Sequence, residues 1–101
     1  MSEYFGNVTL WRNHTGALKA GNGRMVKFGL CPGSADLIGI MQDAGAGRFV
    51  AIEIKLPGEK PRPDQVRFLD HIRRMGGIAG CVTSPEEAIE LLSASIKKPG
   101  D

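Results

Sequence analysis

Long apolar runs are missing from this sequence. Nothing in it approaches the roughly 20 consecutive apolar positions of a membrane helix, and the opening Met1, Ser2, Glu3, Tyr4 and Phe5 lack the basic-then-apolar order of a secretory signal. An intracellular, cytoplasmic protein is the expectation. Cysteine is scarce as well: Cys31 and Cys81 lie far apart and match no paired-ligand spacing, so a zinc site completed by His14 or His71 is not expected. Reduced, mostly buried thiols are expected instead. Excess charge of one sign is also lacking, since 13 basic against 11 acidic residues leave +2, too little to prove a nucleic-acid partner. Internal repeats and low-complexity stretches are absent too.

What is present is enough for one domain. A chain of 101 residues closes a single core and has no room for a second, and 42% apolar with 24% charged residues is ordinary globular composition. The charge is unevenly spread. Arg12, Lys19, Arg24 and Lys27 face only Glu3 in the first thirty residues, and Lys60, Arg62, Arg67, Arg73 and Arg74 cluster in mid-chain, while Glu86, Glu87 and Glu90 gather near the far end. A polarised surface follows.

The sharpest feature is the strand-like run 49–55. Val50, Ile52 and Ile54 alternate onto one face, while Phe49, Ala51, Glu53 and Lys55 share the other. Two ions ending an otherwise apolar strand call for a reason. An exposed ion pair would supply only about 0–1 kcal/mol, and a solvated face would not open with Phe49 and Ala51. Upstream, the run from Asp36 to Gln42 passes through the turn-rich stretch 43–47 into this strand, which is a hairpin signal. With Ala44 and Gly45 as the loop, Asp36 lies opposite Glu53; with residues 44–47 as the loop, it lies opposite Lys55. Either register puts all three on one face. Two acids with side-chain roots about 5 Å apart repel unless a cation sits between them.

The rest of the chain reads as strand, strand, strand, strand, helix, strand, helix. Residues 8–12 and 24–28 alternate as strands, with residues 16–23 a glycine-rich loop between them. The proline-rich connector 56–63 leads into a helix carrying Val66, Phe68, Leu69, Ile72 and Met75, stopped by Gly76 and Gly77. Residues 78–82 form an apolar strand, and Ser84 caps a second helix with Pro85 at its first position and Ala88, Leu91, Leu92 and Ile96 on its inner face. A helical crossover between strands favours a parallel neighbour. The expected fold class is α/β, a mixed β-sheet flanked by helices.

The set Gly33-Ser34-Ala35-Asp36, then Glu53-Ile54-Lys55, then a helix opening with Gln65 and Phe68 and followed by Gly76-Gly77, resembles the VRR-NUC branch of the PD-(D/E)XK nuclease superfamily over residues 24–83. The resemblance implies one VRR-NUC-like domain over residues 1–101 with a restriction-endonuclease-like core. Its activity would be a metal-dependent DNA endonuclease hydrolysing phosphodiester bonds. Asp36, Glu53 and the backbone carbonyl of Ile54 would hold Mg2+ or Mn2+, and Lys55 would orient or activate the attacking water. The oxygen donors suit such hard ions. Gln65 would face the site in the family reading, or bond free amides in its own first helical turn. Arg24, Lys27, Arg67 and His71 would form a phosphate-contacting fringe, and Ser34 is either a turn-former or a backbone contact near substrate. The resemblance departs in two places: Ala35 stands where a proline often precedes the acid, and Glu3 is the sole candidate for an acid that relatives place on a leading helix, in a lead expected to fray. Trp11 is expected in the core.

So small a nuclease offers little surface for choosing a substrate. A homodimer acting on branched or junction DNA, phage-encoded, is the expectation; the alternative is an inactive nucleic-acid-binding module with the same fold, and a third is a small α/β protein of unrelated role.

Overall fold

The computed structural model describes residues 2–4 and 7–96. Seven strands and two helices follow in the order β1 Ser2–Tyr4, β2 Val8–Arg12, β3 Gly16–Lys19, β4 Met25–Phe28, β5 Leu37–Asp43, β6 Ala46–Ile54, α1 Pro63–Arg74, β7 Ile78–Val82 and α2 Pro85–Ser95. Five strands build one mixed sheet in the order β1-β2-β5-β6-β7, antiparallel except for the β6–β7 pair that α1 connects. The helical crossover thus gives the parallel neighbour its connectivity requires.

The β5–β6 hairpin turns on two residues. Asp43 pairs with Ala46, and Ala44 and Gly45 both take positive φ, 52° and 83°, the combination of a type I′ turn. Leu37 consequently pairs with Ile52. One step further along this register sets Asp36 opposite Glu53 and discards the alternative opposite Lys55.

Both faces of β6 are buried over residues 50–53, but Phe49 and Ile54, which the alternation also expects to be packed, are exposed at either end of that run. On one face Val50 and Ile52 pack with Val8, Leu10, Met41, Ile78, Val82 and Leu92 beneath α2. On the other, Ala51 packs with Ala35, Leu69 and Ala79 beneath α1. Burying these side chains supplies the main driving force for the fold. At the turn end, Arg48 donates to Asp43 at 3.0 Å, to the Gly76 carbonyl at 2.9 Å and to the Ser95 carbonyl at 2.7 Å, tying both helix ends to the hairpin.

Several expectations are corrected. In the lead, expected to fray, residues 2–4 are a strand: β1 pairs along β2, Glu3 opposite Leu10, although the side chain of Glu3 lies outside the described residues. Residues 16–19 are a strand, because Gly16 to Lys19 find partners in β4, and only the tip beyond them is loop. Trp11 is 46% exposed, since it lies opposite Ile38 on the sheet face where α1 does not reach β2. Val66 and Met75 also face solvent; the buried face of α1 is Gln65 and Leu69, with Phe68 and Ile72 partly covered. Cys31 and Cys81 are exposed rather than buried, one in the turn after β4 and the other at the edge strand β7.

Candidate active site

The three ionic residues picked out in the sequence meet where β5 and β6 leave the ladder, beside the start of α1. Asp36 sits one residue before β5, and its Oδ2 accepts the Ile54 amide hydrogen at 2.8 Å. In a strand the N–H and C=O of one residue point to the same side. The Ile54 carbonyl is therefore directed toward the Asp36 side of β6, beyond the last pair.

A knot of polar atoms sets the position of Asp36. Asn13, buried just past β2, donates through Nδ2 to the Ser34 hydroxyl at 2.7 Å and to the Ala35 carbonyl at 2.8 Å, and its Oδ1 accepts from the Leu30 amide at 3.0 Å. Ser34 Oγ donates in turn to the Cys31 carbonyl at 2.6 Å, and the Asp36 carbonyl accepts from the Asn13 amide at 2.7 Å. The loop 30–36 is thus clamped to β2 by one side chain. Nothing in the local sequence marks Asn13, whose partners lie some twenty positions downstream.

Glu53 is 2% exposed and lies between Asp36 and Cys81, its partner on β7. Burial raises its pKa from 4.5 to about 7, helped by a hydrogen bond with Asp36 and by the Asp36 charge, while the charges of Lys55 and Arg62 act in the opposite direction. Its Oε2 is buried without a hydrogen-bond partner, the only such side-chain atom among the described residues. A buried unpaired carboxylate oxygen costs several kcal/mol when charged. Cys81, though exposed overall, pairs beside Glu53 across β6 and β7, and its thiol is likewise pushed up, first by partial desolvation and then by the Glu53 charge.

Lys55 extends the β6–β7 pairing, its amide donating to the Val82 carbonyl at 2.9 Å, and its side chain is half-buried. Gln65 is buried, and its Oε1 accepts from the Arg62 amide at 2.8 Å, so the amide oxygen caps α1 as one of the two sequence readings has it. The Ser34 hydroxyl is committed to Asn13 and to the Cys31 carbonyl. Arg67 and His71 lie one helical turn apart on the solvent face of α1, Lys27 lies on the exposed strand β4, and Arg24 closes the tip turn between β3 and β4. These four do not converge on the carboxylates as Asp36, Glu53 and Lys55 do.

Among the described residues no cluster of three or more His, Cys, Asp or Glu side chains forms a metal site. The candidate donors are two carboxylates and one carbonyl, all hard oxygens of the kind Mg2+ and Mn2+ take alongside water. The orphaned Oε2 of Glu53 fits that role, since a cation would meet the one buried side-chain oxygen left unpaired among the described residues. Comparison with family models, with curated proteins and with solved structures finds no match for this chain.

Proposed function

We propose that this chain is a divalent-metal-dependent nuclease of the VRR-NUC type, its mixed sheet and two helices serving as a restriction-endonuclease-like core that cuts DNA. The observation that carries this reading is the buried Glu53 carboxylate, unpartnered at Oε2 and paired across the hairpin with Asp36. Such an arrangement wastes stability unless a cation completes it.

Asp36, Glu53 and the Ile54 carbonyl would hold Mg2+ or Mn2+, which when bound supplies Lewis acidity toward a phosphate oxygen and lowers the pKa of bound water. Glu53 gives up its proton to take that role. Lys55, close enough to Glu53 to shift its titration, sets a positive charge where negative charge grows on the phosphate and donates a hydrogen bond that orients the attacking water. Asn13 and Ser34 hold the loop that fixes Asp36. Gln65, with its oxygen engaged by the Arg62 amide, keeps its amide hydrogens for phosphate or water.

The test is incubation of the purified chain with branched, nicked and single-stranded DNA in Mg2+, Mn2+ or EDTA, with Glu53→Gln alongside. Cleavage that needs metal and Glu53 supports the proposal. Binding without metal-dependent cleavage in any arm overturns it in favour of a binding module. A homodimer would present two such sites to a junction, and sedimentation of the same sample reads that state.

A further inference from the structure

The β3–β4 hairpin stands apart from the sheet as an arm. Its strands pair with each other and make no substantial contact with another element, and every residue in them is exposed. The pairing gives the arm two unlike faces. Leu18 lies opposite Val26 and Gly16 opposite Phe28 on one, with the Phe28 ring over Gly16, while Ala17, Lys19, Met25 and Lys27 share the other. Leu18 is 66% exposed and Val26 52%. An isolated two-stranded hairpin is marginal in water, and one that turns an apolar face to solvent gains by having that face covered.

A matching groove lies on the other side of the sheet. α2 makes its main contacts with β7, so an apolar groove of about 660 Å³ runs between this helix and the uncovered part of the sheet, with Leu37, Met41, Ile54, Ile89 and Leu92 among its walls. Ile54 and Ile89 are half exposed there. The arm is not placed to fill the groove of its own chain. Its base shares a cleft with Arg62 and Asp64 at the start of α1, the helix that covers the Ala51 face of β6, whereas the groove lies on the face that carries Val50 and Ile52.

Charge fits arm to groove between copies. Lys19, Arg24 and Lys27 make the arm basic, with no acid anywhere in residues 13–35, and α2 carries Glu86, Glu87 and Glu90 with no base. None of these side chains forms an ion pair among the described residues. Glu86 and Glu90 neighbour Ile89 along the helix, so an arm seated at Ile89 brings its cations within the roughly 10 Å over which charges act at moderate salt. Two arms stacked on each other would instead set like charges together.

We propose that the groove receives the β3–β4 arm of a second copy of this chain, with Leu18 and Val26 seated in it, each copy giving one arm and accepting one. Reciprocal exchange of this kind is twofold and closes on itself, so assembly stops at a dimer. The proposal supplies the contact for the homodimer and holds whether or not the nuclease reading does. Glu53 lies on the face beneath α1, so the exchange leaves both candidate sites open.

The experiment is sedimentation of the full chain in EDTA, from micromolar to millimolar concentration, for wild type, an arm variant with Leu18→Gln and Val26→Thr, and a groove variant with Ile89→Lys, each checked by thermal melt. All three positions are exposed, so the variants should fold. Wild type should dimerise, and each variant should weaken dimerisation on the order of tenfold or more. Mixing the two variants should restore association, because the intact arm of one meets the intact groove of the other. Glu90→Lys and raised salt should each weaken the wild-type dimer. A monomeric wild type overturns the proposal, as does a dimer that either variant leaves unchanged; a mixture that associates no better than its parts also overturns it, in favour of arm stacked on arm. The two readings separate cleanly: metal-dependent cleavage by a chain that stays monomeric removes the exchange and keeps the nuclease, whereas an arm-dependent dimer that never cleaves does the reverse.

Discussion

The Asp36 carboxylate accepts the Ile54 amide hydrogen at 2.8 Å, so one of its oxygens is fixed to the strand that carries Glu53. The pairing between these strands does the rest, holding two acids opposite each other at the point where the ladder ends. Glu53 responds by keeping its proton to about pH 7.

Glu53 links stability to pH. It releases its proton near 4.5 when unfolded and near 7 when folded, so between those values the folded chain holds more protons and its stability falls as pH rises. The contribution, up to about 3 kcal/mol, is complete below pH 4.5 and gone above 7. Urea melts in EDTA across pH 4 to 8 should show this decline, and Glu53→Gln should flatten it and exceed wild type in stability at pH 8. A wild-type profile that rises through that window contradicts the assignment.

Asn13 acts at a distance. Replacing it with alanine removes the side-chain bonds to the Leu30 amide and the Ala35 carbonyl and leaves the Ser34 hydroxyl only its Cys31 contacts, a loss of about 1–3 kcal/mol. Because that loop positions Asp36, manganese affinity should fall about tenfold or more. Calorimetric titration at a temperature where the variant is still folded separates the two effects.

Lys55 lowers the Glu53 pKa and faces the reacting phosphate in the proposed mechanism. Lys55→Met should raise that pKa further, weakening manganese binding at pH 6 while sparing it at pH 8.5, where Glu53 is ionised in either form. Cleavage at pH 8.5 should still drop about a hundredfold or more. Equal cleavage by the variant at that pH would remove Lys55 from the chemistry.

Two backbone positions test the hairpin itself. Ala44 holds φ at 52°, a region that asparagine tolerates better, so Ala44→Asn should stabilise by about 0.5–1 kcal/mol. In β5, a Cβ on Gly39 would come within 2.0 Å of the Thr9 carbonyl oxygen. Gly39→Ala should therefore force β2 and β5 apart and lower the melting temperature sharply, since the contact is with backbone and cannot rotate away.

The strands and helices that bear the site were legible because their patterns are local: the alternation through Val50 to Glu53, the Gly45 turn and the Ser84-Pro85 helix start each announce themselves within a few residues. The β5–β6 register came down to two alternatives for the same reason, and the turn geometry chose between them. What escaped depends on distance. Asn13 meets partners from Leu30 to Ala35, Cys81 joins Glu53 only through parallel pairing, and Arg62 reaches the site only because a proline-rich connector returns the chain there. The exposure of Trp11 follows from where α1 stops covering the sheet, which no periodicity in β2 encodes.

The central claim is that Asp36 and Glu53 share one divalent cation. Anomalous diffraction from a manganese-soaked crystal at pH 8 tests it directly. A single peak bridging the two carboxylates, about 2.0–2.3 Å from an oxygen of each, is the expected result; manganese bound elsewhere, or a peak touching only one of the two acids, would contradict it.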